Sequence, residues 1–265
     1  MIARTSTALD TNSSSPSPLL AELLKLRRSQ PLLVVIGLPL VVTGTGIINT
    51  LFSRRGLEDG WNTLWLRTVG FHGLFPLVLG VAILASLVWR LEHRDSNWNT
   101  LMTSPIGATR IALVKTLAIA GLAAAMQATM LIVVVATGKV LFALPGLPPA
   151  HLLASGTLVA VACVPLAAFQ SSISMLIRSF AGAVALAAAL AGVSVSLLTA
   201  KIGSISYTLP HALATRTALL GSGMFSDPSH PDMTTFGGIA TTAVILTLLI
   251  VASTGRILKC RDLYT

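Results

Sequence analysis

Charge is what this sequence has least of. Only 10 % of its 265 residues are Asp, Glu, Lys or Arg, against about a quarter in an average soluble domain. Aromatic residues are few as well, at 5 %. With 54 % apolar residues, a soluble fold of this length would expose broad apolar patches to water. Mean hydropathy is +0.82. These values place the chain as an all-α polytopic membrane protein. Cysteine is almost missing: Cys163 lies in an apolar run and Cys260 in a basic tail. That pair gives neither a disulfide framework nor a metal cluster. The first 17 residues are rich in Ser, Thr and Pro and hold no apolar h-region. They read as a flexible cytoplasmic tail (1–17) rather than a cleaved signal.

Motifs of catalysis are also lacking. No G-x-x-x-x-G-K-[ST] occurs, so the chain does not cradle a nucleotide by that route, and there is no H-E-x-x-H. Gly221-Ser222-Gly223, with His211 or His230 as base, is a candidate intramembrane serine nucleophile. Its Gly, Asp and Pro neighbours favour a turn. His211, His230, Asp227 and Asp232 fit no standard metal spacing. A net charge of +9 in a soluble protein would point to nucleic acid. Here it points to positive-inside topology and anionic lipid, and no nucleic-acid partner is expected.

What is present is six apolar stretches, at about 31–51, 69–89, 111–136, 151–176, 180–200 and 236–255. Each is near the roughly 20 residues that cross a bilayer as a helix. Together they predict a six-helix transmembrane domain over 31–257, followed by a cytoplasmic tail (258–265). Residues 18–30 place Leu19, Leu20, Leu23, Leu24 and Leu26 toward one side of a helix, with Glu22, Lys25, Arg27 and Arg28 largely elsewhere. This is the pattern of an amphipathic interfacial helix. Pro31 is expected to turn Gln30 away from helical geometry and so separate it from the first span. Phe52 to Thr68 reads as an outer interfacial segment anchored by Trp61 and Trp65, with Arg54, Arg55, Glu58 and Asp59 on the wet side, and part of a substrate gate is the alternative. The stretch 202–220 reads as a re-entrant hairpin or a surface segment.

Six spans put both termini on one side. Twelve of the 18 Lys and Arg residues then fall on that side and six on the other, which makes the termini cytoplasmic. The spans are nearly free of ionisable residues at their centres, which argues against proton or sodium coupling. Asn49, Gln127 and Gln170 are the candidate polar groups of a translocation pathway. Gln127 could equally glue the bundle.

The most polar cytoplasmic stretch follows the second span: WRLEHRDSNWNTLMTSPIGATRIALVK, Trp89 to Lys115. With no ion coupling and no nucleotide motif, energy has to enter here. The stretch Glu92 to Pro105, with Asn97-Trp98-Asn99-Thr100-Leu101 and Ser104-Pro105, then Arg110 and Lys115, resembles the coupling segment of permease subunits of type-2 ATP-binding-cassette exporters. Glu22-Leu-Leu-Lys25-Leu-Arg27-Arg28-Ser29 resembles the opening helix of the same family, in particular its bacterial lantibiotic-immunity and multidrug branch. The resemblance implies a transport subunit, not an enzyme, in the bacterial cytoplasmic membrane. It implies a separate cytoplasmic ATPase that carries ATP and Mg, and a second permease subunit as homodimer or heterodimer. The cargo would be an amphiphile such as an antimicrobial peptide, a drug or a lipid-like compound. The coupling segment 90–110 would dock on the ATPase through Trp98, Leu101 and Met102. Glu92 and Asp95 would face basic groups there, and Arg94 and Arg110 acidic ones. A stand-alone carrier or channel and an intramembrane enzyme are the alternatives from other classes.

Overall fold

The computed structural model describes residues 30–90, 92–93, 107–202, 204, 207–221 and 232–262. The expected tail 1–17 and the interfacial helix residues Glu22, Lys25, Arg27 and Arg28 lie outside the described residues. Among those described there are helices and no strand. In order they are α1 (Pro31–Phe52), α2 (Gly60–Trp65), α3 (Phe71–Leu74), α4 (Pro76–Arg90), α5 (Ala108–Ala136), α6 (Ala150–Leu176), α7 (Phe180–Thr199), α8 (Pro210–Ala218) and α9 (Met233–Asp262).

Among the described residues five helices are long and apolar enough to cross a membrane: α1, α5 with the π-helical turn Thr137–Leu141 that extends it, α6, α7 and α9. The pair Gly60–Leu74 and Pro76–Arg90, bent by 46°, is a broken span or a re-entrant loop, and makes a sixth crossing when counted as one span. Five of the six expected stretches therefore coincide with straight spans. The helix expected over 69–89 is the exception. It runs on from α2 through a π-helical turn (Leu66–Gly70) into α3, stops at Phe75, and restarts at Pro76 as α4. Proline explains the restart. It has no N–H to continue the ladder, and it forces its predecessor out of the helical region: Phe75 has φ −131° and ψ −45°. Pro31 does not act the same way, since Gln30 keeps helical angles of −55° and −19°. The last helix also departs from expectation, running through Asp262 rather than stopping near 255.

Helix α6 is the centre of the bundle and packs on α4, α5, α8 and α9. Of its most apolar stretch 61 % is buried, against 17 % for α9. Val41 and Leu51 on α1 and Leu248 and Leu249 on α9 are more than half exposed. Such faces belong in lipid or against another apolar surface. Two helix starts carry side-chain caps. Ser179 Oγ accepts from Gly182 N at 3.2 Å, as N-cap serines do. Asp232 accepts from Thr235 N at 2.9 Å and from the Thr234 and Thr235 hydroxyls. Bonds from the Thr235 hydroxyl, Thr235 N–H and Thr234 hydroxyl push the Asp232 carboxyl down to about 2. Asp232 thus serves a helix start.

Helix α8 settles how part of 202–220 is placed. Pro210, His211, Leu213, Thr215 and Thr217 are all buried, and the helix packs on α6, α7 and α3 inside the bundle rather than lying over it. The approach to α3 needs glycine, because a Cβ on Gly73 would overlap the Ala218 Cβ. Gly73→Val is therefore expected to destabilise the protein by about 1–3 kcal/mol through overpacking. Gly44→Ala, where a Cβ meets nothing within 4 Å, should be neutral or slightly stabilising. Thermal unfolding of both variants in detergent checks the contrast.

Candidate functional site: the root of the coupling segment

The polar stretch after α4 is anchored at both ends. Trp89, in the last turn of α4, is fully buried, and its indole Nε1 donates to Ser171 Oγ of α6 at 2.9 Å. The helical turn continues past Arg90, with Glu92 N and His93 N both bonded to Trp89 O. This winding carries Glu92 inward. Its Oε1 accepts from Lys115 Nζ at 2.7 Å, with the two side chains 5 % and 2 % exposed. Lys115 Nζ also stands 5.5 Å from the centroid of the Trp89 ring, within cation–π range. Lys115 lies two turns into α5, so the pair closes the 23-residue separation between the two helices it joins.

Burying either charge alone would be costly, and here each meets an opposite charge. Around it, Trp89, Ala112, Ala168, Met175, Val251 and Leu258 bring α4, α5, α6 and α9 into one apolar cluster. His93 adds a tie to α6, its Nε2 lying 2.9 Å from Ser174 O. Ser86 and Ser174 meet hydroxyl to hydroxyl at 3.2 Å. Beside them opens a polar cavity of about 280 Å³ whose rim carries the exposed Arg90 and Arg178.

This geometry revises the role read for Glu92. Its carboxylate was expected on a partner's basic group, and it is turned instead onto Lys115 within the chain. Arg110 is exposed at the start of α5. Asp95, Asn97, Trp98, Leu101, Met102, Ser104 and Pro105 lie outside the described residues, as do Arg94, Ser222, Asp227 and His230. Lys115 stood out in the sequence only as one more loop charge. A lysine two turns into an apolar run, with no acidic residue at helical spacing on its own helix, was the available signal.

The three pathway candidates separate. Gln127 and Gln170 are buried and each meets a histidine: Gln127 Nε2 is 3.2 Å from His72 Nε2, and Gln170 Nε2 is 2.8 Å from His211 Nε2. In each contact the direction of the bond depends on the tautomer of the ring. Each pair clasps a short segment to a long span, α3 to α5 and α8 to α6. Phe169 stacks edge-on against the His211 ring at 5.3 Å. Neither glutamine borders the cavity of about 280 Å³ or one of about 420 Å³. Asn49 does: it is exposed and borders an open cavity of about 420 Å³ between α1 and the Leu66–Leu74 stretch.

The apolar helices form a multi-pass bundle, and the polar stretch after α4 is rooted in it through Trp89 and Glu92. Residues 19–196, about two thirds of the chain, match the family model described as ABC-2 family transporter protein. No curated protein and no solved structure matches the chain. The matched region runs from before α1 almost to the end of α7 and contains the rooted segment whole. The chain therefore belongs to the ABC-2 transporter family, as a multi-pass permease subunit, itself not catalytic, of an ATP-binding-cassette transporter whose family works with an ATP-binding subunit.

Proposed function

We propose that the chain exports an amphiphilic compound from a bacterial plasma membrane, using ATP hydrolysed with Mg by a separate cytoplasmic ATPase. The cargo class is an antimicrobial peptide, a drug or a lipid-like compound, as in the lantibiotic-immunity and multidrug branch of the family. Both termini and the segment 90–110 face the cytoplasm. Two permease subunits assemble with two ATPase subunits. The exposed apolar faces of α1 and α7 offer surface for the second permease subunit or for lipid.

The observation that supports this reading is the buried Glu92–Lys115 pair beneath Trp89. A push on a loosely tethered loop would be absorbed by the loop. Here the segment's start is fixed to α6 through Trp89 and to α5 through Glu92. Force applied between them would pass into two spans at once, along packed side chains with few alternative arrangements. The cations Arg90, Arg110 and Arg178 at this end suit an acidic rim on the ATPase.

In this scheme Trp98 is the apolar anchor on the ATPase, and buried aromatic anchors contribute at least about 2 kcal/mol to such interfaces. Trp98→Ala is expected to insert and fold normally while weakening retention of the ATPase subunit by roughly 30-fold. Transport-coupled ATP hydrolysis should fall in proportion. Copurification of the tagged permease with the ATPase, with hydrolysis measured in proteoliposomes, tests it. Undiminished retention and hydrolysis in Trp98→Ala would remove the segment from the ATPase interface.

A further inference from the structure

We infer that the 420 Å³ cavity beside Asn49 is a binding site for an amphiphile with an anionic headgroup, held by Arg67. The volume lies within the roughly 300–1,000 Å³ of ordinary small-ligand sites. Its wall is apolar where Leu66, Phe71 and Leu74 line it on one side and Leu219, just past α8, on another. Leu66 and Phe71 are also partly exposed on the bundle surface, 39 % and 46 %, so an alkyl chain can enter from the lipid without crossing a polar barrier. The polar end of the cavity holds Thr45 and Asn49 of α1 together with Arg67.

Arg67 is the informative group. Its Nη2 donates to Ser53 Oγ at 3.1 Å, while its Nη1 is buried and has no hydrogen-bond partner. A guanidinium carries five N–H donors in a planar fork shaped for carboxylate or phosphate. Leaving a buried donor on it unpaired is unfavourable by about 1–3 kcal/mol, and more for a charged group. None of the described residues lining the cavity is acidic. A phosphate or carboxylate at this end would accept from the guanidinium, balance its charge, and bring its tail against Leu66, Phe71 and Leu219. Asn49 supplies an amide to the same cavity. Neutral or cationic amphiphiles would leave that charge unbalanced or meet a like charge.

The inference narrows the cargo reading above, and rests on it only for the step from binding to export. Its test therefore uses no ATP. The full chain in phosphatidylcholine nanodiscs is photolabelled with hexadecyl phosphate bearing a terminal diazirine, and the crosslinks are mapped by mass spectrometry. Labelling is expected at residues 66–74 and 219, competed by hexadecyl phosphate but not by hexadecylphosphocholine, which has the same chain and no net charge. Arg67→Gln should lower the specific yield by about tenfold or more, the loss of one charge-assisted bond. Arg67→Lys should keep part of it. Thr45→Trp, on the exposed rim, should block labelling without touching the arginine, and keeps the test valid if Arg67→Gln does not fold. Lipid extraction of the purified protein identifies the source. A stoichiometric anionic phospholipid lost in Thr45→Trp makes the ligand a resident lipid; labelling with no retained phospholipid makes it a free amphiphile. Labelling spread evenly over α1, α7 and α9, or unchanged in folded Arg67→Gln or in Thr45→Trp, overturns the site. Undiminished ATPase retention in Trp98→Ala would leave these outcomes unaffected, so the two readings fail separately.

Discussion

Lys115→Met is expected to destabilise the protein by about 3–5 kcal/mol, the cost of removing one partner of a buried ion pair. The variant removes the ammonium that lies 2.7 Å from Glu92 and leaves a chain of similar length over Trp89. Glu92 sits 4 % exposed, so water cannot take over as it would at a surface pair, where the effect is about 0–1 kcal/mol. Glu92→Gln together with Lys115→Met should recover most of the loss, because two neutral side chains of similar volume often replace a buried pair at little net cost. Unfolding of the two single variants and the double variant in detergent closes the cycle. A penalty under about 1 kcal/mol for Lys115→Met would mean that the pair is hydrated and does not fix the segment. If the pair also transmits the ATPase's motion, the double variant should fold, yet the ATPase assembled with it should hydrolyse ATP with weakened dependence on cargo. Stability and coupling are then separated within one set of proteins.

The long spans were legible because membrane helices announce themselves by length and hydropathy, whatever they pack against. The starts of α6 and α7 fall within a residue of expectation for that reason. The second crossing was not legible as one object. Arg54, Arg55, Glu58 and Asp59 put four charges just before Trp61 and Trp65, and tryptophans beside charges are the mark of an interface. Helix α8 hides for a related reason. His211, Thr215, Arg216 and Thr217 make it too polar for a span, yet it is buried in the bundle, where Thr217 Oγ1 donates to Leu213 O at 2.7 Å. The site divides the same way. Residue types showed that Glu92, Gln127 and Gln170 mattered, because polar groups near apolar runs need partners. They did not show which partners, because Lys115, His72 and His211 lie on other helices and sequence spacing carries no information across a loop. Arg67 was one positive charge among six on the outer side until Ser53 and the unpaired Nη1 gave it a setting.

Trp65→Ala decides between the two readings of the stretch from Phe52 to Thr68. An interfacial anchor leaves most of its ring among headgroups, and its removal alters stability by less than about 1 kcal/mol, in the range of surface substitutions. In the structure Trp65 is 3 % exposed. It packs with Val42, Val69, Met130 and Leu152 of α1, the π-helical turn, α5 and α6, and its ring comes so close to α6 that a Cβ on Gly156 would lie 3.0 Å from Cη2. Truncation there should cost about 3–5 kcal/mol, as for other buried tryptophans, because the rigid helices around it cannot collapse into the void. A second substitution separates volume from polarity. The indole Nε1 of Trp65 is buried without a hydrogen-bond partner, whereas Trp61 Nε1 donates to Pro145 O at 2.9 Å. Trp65→Phe loses some contact but also removes an unpaired donor, a gain of about 1–3 kcal/mol to set against it, so it should come out near neutral. Trp61→Phe has no such compensation and should be the more harmful of the two. Equal effects of Trp65→Phe and Trp61→Phe, or a small effect of Trp65→Ala, would return the segment to the membrane surface. The opposite order makes the crossing through Gly60 to Arg90 one bent element, fixed by Trp61 and Trp65 at one end and by Trp89 at the other. In that case motion delivered at Trp89 reaches the cavity beside Arg67 through a single piece of chain, with the 46° bend at Phe75 between them.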